Sequence, residues 1–221
     1  MIPIKTYYRR RFPKEEMKSR TRLWQTLCSS FFQKYVRQTD TVMDIGAGYC
    51  EYINAIHCKK KYAVDINPDT KKFARSDVTV VSVNAMKIPV RYNGKMNVIF
   101  MSNFLEHLES KKDVLVLLTR IKSLLAPNGK LIVLQPNIDL VREKYWNFFD
   151  HHIIFNTQNI REVFEICGYR LDEYIVRFLP YSTKHTLLPV NPTLIKFYLT
   201  LPEFLRPWAG QSLIIASSRS S

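Results

Sequence analysis

Long apolar runs are missing from this sequence. Stretches such as residues 114–118 and 131–134 fall far short of the roughly 20 residues a helix needs to cross a bilayer, which excludes an integral membrane protein built on helices. The basic N-terminal segment is not followed by the apolar run and small-residue cleavage site of a secretory signal, so no signal peptide is expected. Cysteine is sparse. The four cysteines (Cys28, Cys50, Cys58 and Cys167) are scattered without CxxC or zinc-like spacing, which argues against a disulfide framework or a zinc ribbon and fits a reducing, cytoplasmic setting. Glycine is scarce too, at six residues, and repeats and low-complexity segments are absent. Acidic side chains are in deficit, 19 against 33 lysines and arginines, for a net charge of +14.

What is present is an ordinary globular composition, 46% hydrophobic and 24% charged, over 221 residues, enough for a sizeable core. The charge is uneven. Residues 1–22 carry a net +6, and Pro3 and Pro13 interrupt any regular element there. Residues 1–20 are therefore expected as a basic arm and residues 21–221 as a single domain. Such a surface attracts an anionic substrate, nucleic acid or anionic lipid, or merely solvates the chain. From Thr21 to Val36, Leu23, Trp24, Leu27, Phe31 and Phe32 recur at helical spacing. Short apolar strands then alternate with helices: strands are expected over residues 41–45, 61–66, 78–83, 96–101, 130–135, 171–178 and 212–216, with helices over 112–125 and 159–167 among them. Nearly continuous apolar strands separated by helices imply an α/β fold whose parallel sheet is covered on both faces. Residues 179–211, rich in proline and aromatics, form an inserted segment with a short apolar helix over 194–201.

The most informative stretch runs from Thr41 to Cys50. A buried strand enters a turn at Gly46-Ala47-Gly48, where glycine permits backbone angles and close ligand approach closed to other residues. Asp44 stands just before the turn. It would repel a pyrophosphate and suits the ammonium group of a methionine moiety. A third glycine is absent, which weakens a dinucleotide reading. About twenty residues beyond the turn, Asp65 and Ile66 end the second strand, where a carboxylate can accept bonds from ribose hydroxyls.

With these motifs the chain resembles the class I, Rossmann-like methyltransferases that use S-adenosylmethionine (SAM). Asp44 to Gly48 match the glycine-rich signature and Asp65 the ribose-binding acid. Asn84-Ala85 match the segment beside adenine, Asn84 standing where the family often has Asp. The run from Phe100 to Leu108 resembles the segment lining the methionine end, and that from Leu124 to Ile132 the helix, turn and fifth strand after it. The resemblance implies a seven-stranded, mostly parallel sheet with an antiparallel last strand. It also implies SAM as cofactor, S-adenosylhomocysteine as product, and cofactor contacts from Asn103, Phe104 and His107.

Methyl transfer needs donor and acceptor held collinear, and an oxygen acceptor needs a base. His151 and His152, with Asp150 as orienting partner, are the candidate base group. Gln135 and Asn137 follow the fifth strand, and Tyr145 and Trp146 come soon after; these are candidate substrate contacts, as are Tyr181 and Lys184. In quinone-type O-methyltransferases a related segment carries a metal-binding Glu-x-x-Glu-His. Here Asn103 replaces the first carboxylate and leaves Glu106-His107, so no metal is expected. The substrate half also resembles methyltransferases found with bacterial polysaccharide and glycolipid biosynthesis proteins. That implies a small-molecule, sugar or lipid-linked acceptor, residues 179–211 as a substrate cap, and peripheral membrane contact. Three alternatives remain open: an RNA methyltransferase using the basic arm, a non-catalytic scaffold that binds a partner, and another reaction of SAM.

Overall fold

The computed structural model describes residues 14–181 and 191–219. Its strands are β1 (Thr41–Ile45), β2 (Lys60–Val64), β3 (Val78–Val81), β4 (Met96–Ser102), β5 (Leu125–Pro136), β6 (Tyr169–Pro180) and β7 (Ala209–Ser218). Its α-helices are α1 (Lys14–Ser30), α2 (Glu51–Ala55), α3 (Thr70–Phe73), α4 (Lys111–Leu124), α5 (Ile138–Val141), α6 (Thr157–Ile166) and α7 (Pro192–Thr200). The strands make one seven-stranded sheet in the order β3-β2-β1-β4-β5-β7-β6. This is the expected Rossmann-like methyltransferase fold. None of the described helices is long and apolar enough to cross a membrane. The chain divides into two compact units, residues 1–88 with 187–200 and residues 89–186 with 201–221.

In the first unit β1, β2 and β3 pair in parallel, Ile45 opposite Val64 and Val64 opposite Val81. Helix α1 begins at Lys14 rather than Thr21. Glu15 and Glu16 lie in its first turn, where the helix dipole favours negative charge, so the arm's last residues are helical. Residues 1–13 lie outside the described part. Trp24 and Phe32, which the helical spacing singled out, pack with Tyr52 of α2 at ring-centroid distances of 5.8–6.2 Å. Arg20 reaches Glu51 at 2.7 Å. Helix α7 packs against α1. Part of the expected cap thus belongs to the first unit, with Leu194 and Phe197 exposed.

In the second unit β4 and β5 are parallel, and β7 runs antiparallel to both β5 and β6. β5 starts earlier than expected. Met96 pairs with Leu125 and Val98 with Lys130, so residues 126–129 loop out between the two pairs. Gly129 fits because a Cβ there would lie 2.8 Å from the carbonyl oxygens of both Ala126 and Met96. Ser110 caps α4 by accepting the Asp113 N–H, and the helix buries Val114, Leu117, Leu118, Ile121 and Leu124. Asn156 and Asn159 form a reciprocal capping box on α6.

All four cysteines are free thiols. Burial raises the pKa of each, that of Cys58 to about 11. Since the thiolate is the reactive form, Cys28, Cys50 and Cys58 in the folded protein should react with iodoacetamide at pH 8 at least about a hundredfold more slowly than in the denatured chain. A timed mass-spectrometric alkylation checks this; fast labelling of Cys28 or Cys50 in folded protein would contradict the burial described.

Candidate active site

In the first unit three turns follow the carboxyl ends of β1, β2 and β3, the end at which open α/β sheets bind ligands. After β1 the chain turns through Gly46 (φ 71°), Ala47 and Gly48 (φ 50°). Cys50 also has φ 60° and is fully buried, with its thiol directed at the Thr70 carbonyl. The left-handed conformation is therefore kept without the glycine that usually supplies it.

The turn is tied to Asp65. One carboxylate oxygen accepts the Gly48 N–H at 2.7 Å and the other accepts the Asn67 N–H at 2.7 Å. Asp65 is only 6% exposed, and burial raises its pKa against the pull of those N–H groups. Asp44 is buried as well. Burial, then the charges of Glu51 and Asp65, hold its carboxyl well above the usual range, while the Ile53 N–H of α2 opposes them. Ile66 is an apolar side chain left 54% exposed beside Asp65. Asn84 is exposed and accepts the Met86 N–H through its side chain at 2.9 Å, and Ala85 is buried.

In the second unit the turn after β4 passes through Asn103, exposed and at φ 49°. A 3-10 turn, Leu105–His107, then sets Glu106 inward at 0% exposure. The N–H groups of His152 and Ile153 donate to the Glu106 carbonyl at 2.8 and 3.2 Å, which brings the 148–153 segment alongside. His107 Nδ1 meets the Asp150 carbonyl at 2.9 Å and its carboxylate at 3.2 Å. Burial lowers the His107 pKa, but the hydrogen bond and charge of Asp150 and the charge of Glu106 outweigh it, and the net shift is upward. Gln135 Nε2 donates to Glu106 Oε2 at 3.1 Å. The His151 ring stacks on Phe148 and tilts against Tyr145.

The acceptor-side candidates lie in different surroundings. Asp150 holds His107, the histidine assigned to the cofactor. His152 is exposed and His151 is buried. Tyr145 is a core residue at 0% exposure whose hydroxyl donates to the Ile153 carbonyl. Asn137 is 2% exposed and caps α5. Its amide donates to Thr157 and Ser212 at 3.0 Å each, so both its hydrogens are used inside the protein. Trp146 is 54% exposed, and Tyr181 packs edge-on against Phe148. Lys184 lies outside the described residues. Glu106 was not singled out as a site residue. The signal was a lone acid in the apolar run Phe104-Leu105-Glu106, which suits burial only with polar partners.

A sequence model of the methyltransferase domain family matches residues 15–174 of this chain. The chain belongs to that family. It is a SAM-dependent methyltransferase. No curated protein matches the chain closely enough to count as a relative. Among solved structures, a SAM-dependent methyltransferase from Archaeoglobus fulgidus is 21% identical with a TM-score of 0.64, covering 91% of this chain and 97% of that one. The PH0226 protein from Pyrococcus horikoshii is 14% identical with a TM-score of 0.65, covering 96% and 99%. The mitomycin 7-O-methyltransferase MmcR is 14% identical with a TM-score of 0.61, covering 91% and 54%. These structural likenesses show the fold.

The methyltransferase's own residues fit the cofactor. A carboxylate has about four acceptor positions, and on Asp65 the Gly48, Asn67 and Ile66 N–H groups draw on them. Its remaining capacity would suit a ribose hydroxyl. When bound, SAM supplies the electrophilic methyl group.

Proposed function

We propose that this methyltransferase transfers the methyl group of SAM to an oxygen of a small-molecule, sugar or lipid-linked acceptor. In this reading the turns at Gly46 to Gly48, Asp65-Ile66 and Asn84-Ala85 hold the cofactor. Asp44 faces its ammonium group, and Asn103, Phe104 and His107 line the methionine end. The observation that carries the acceptor side is the gathering of Glu106, His107, Asp150 and His151 at the ends of β4 and β5. A hydroxyl acceptor must give up a proton as it attacks the methyl group, and this cluster offers imidazole and carboxylate acceptors for it. Phe148 and Tyr181 beside it suit the apolar face of a sugar or an aromatic ring.

Methyl-labelled SAM, incubated with the protein and separate glycolipid, glycan and RNA extracts, tests the reading. Label entering the glycolipid or glycan fraction, and lost with Glu106→Gln, supports it. Label entering only RNA would replace it with a nucleic-acid methyltransferase. Bound SAM with no transfer to any extract would leave a scaffold.

A further inference from the structure

Glu106 Oε1 stands 3.9 Å from His107 Nε2 and 4.0 Å from His151 Nε2. The three donor atoms lie within 4.8 Å of one another, and among the described residues they are the one such group of three. We propose that Glu106, His107 and His151 form a binding site for a single divalent transition-metal ion of the zinc or iron(II) type. This rests on the reading of the cluster as the place where the acceptor loses its proton, and it names the agent that acts there.

Four features carry the proposal. The distances come first. Bonds of about 2.1 Å in a tetrahedral site put ligand atoms about 3.4 Å apart, so the two pairs that include Glu106 must close by roughly half an ångström and the two imidazole nitrogens by at most about 1.4 Å. That is a side-chain adjustment rather than a change of fold. Second, the ligands are already oriented. His107 Nδ1 is held by Asp150, which leaves Nε2 as the donor toward Glu106, the carboxylate–histidine arrangement that orients ligands in metal sites. Gln135 holds Glu106 Oε2 and leaves Oε1 facing the imidazoles. Third, the carboxylate is 0% exposed and His151 is 7% exposed. So far from water, the attraction between a carboxylate and a divalent cation is little screened. Fourth, the absent first carboxylate at Asn103 argued against a metal in the sequence. The structure brings a third donor from elsewhere, His151, which the backbone bonds from His152 and Ile153 to Glu106 place beside the other two.

Two nitrogens and one oxygen suit zinc, iron(II) or cobalt(II) and disfavour magnesium and calcium, which prefer all-oxygen shells. Three protein ligands leave a coordination position open for an acceptor hydroxyl. Bound there, it would lose its proton near neutral pH.

The test uses the full-length protein stripped with chelator and titrated with Co2+ by visible absorption, with Zn2+ by calorimetry, and with Mg2+ for comparison. One Co2+ or Zn2+ per chain is expected, with no saturable Mg2+ binding. His151→Ala should weaken binding at least about a hundredfold. Asp150→Asn, at a less buried position and leaving the three ligands intact, should weaken it about tenfold or more. His57→Ala, which removes a histidine far along the chain, should leave it unchanged. SAM binding and circular dichroism are recorded on every sample. Folded wild-type protein that binds SAM but neither ion overturns the metal site while leaving the methyltransferase reading intact. Binding that survives both His151→Ala and Asp150→Asn overturns it equally.

Discussion

Asp65→Ala is expected to weaken SAM binding about a hundredfold. A hydrogen bond from a ribose hydroxyl to a charged acceptor contributes up to about 3 kcal/mol, and each 1.4 kcal/mol is a factor of ten. The substitution also orphans the Gly48 and Asn67 N–H groups, which now donate to that side chain at 2.7 Å each. Each loss costs about 1–3 kcal/mol where the group stays dry. The turn should therefore loosen along with the binding site, and calorimetry must be paired with a melting curve. The same carboxylate predicts a pH effect. Its raised pKa means that protonation begins at a higher pH than for an ordinary aspartate, and the neutral acid accepts fewer bonds. SAM affinity should fall on acidification at a higher pH than an ordinary exposed carboxylate would set, and a calorimetric pH series checks it. An affinity unchanged in Asp65→Ala would remove this residue from the cofactor site.

Phe164→Ala is expected to destabilise the protein by about 3–5 kcal/mol, the range for deleting a large buried aromatic ring. Phe164 is fully buried on the inner face of α6 with Ile160, and its ring lies 5.5 Å from that of Tyr169, whose hydroxyl bonds the Leu118 carbonyl. The alanine leaves a void that helix and strand cannot both move to fill. Against a typical total of about 5–15 kcal/mol, the loss is large enough to be seen directly in a urea melt. A change below about 1 kcal/mol would mean that α6 is not packed as described.

The turns proposed to hold the cofactor are legible in the sequence because they are local. A strand, a glycine turn and a helix follow one another within fifteen residues, and Asp65 directly follows the next strand. Each relation is a spacing along the chain. The acceptor side is not local. His107 and Asp150 are 43 residues apart, and Gln135 and Glu106 are 29 apart. Only the sheet and the bonds of His152 and Ile153 to Glu106 bring them together. Proximity in sequence therefore paired Asp150 with His151 and His152, whereas its contact with His107 has no local signature. Tyr145 and Asn137 are ambiguous in the sequence for a related reason. Polar side chains after a strand read equally well as ligands or as caps and core groups, and burial decides between them. The early start of α1 was hidden by prolines that lie before Lys14 and not within the helix. The place of β7 between β5 and β6 is a long-range pairing with no local signature.

The most direct test of the cofactor site is amide hydrogen exchange on the wild-type protein with and without saturating S-adenosylhomocysteine. Slowed exchange is predicted at three separate segments, residues 44–50, 65–67 and 84–86. Tight binding without slowing at these turns, or no binding by folded protein, would contradict the site described.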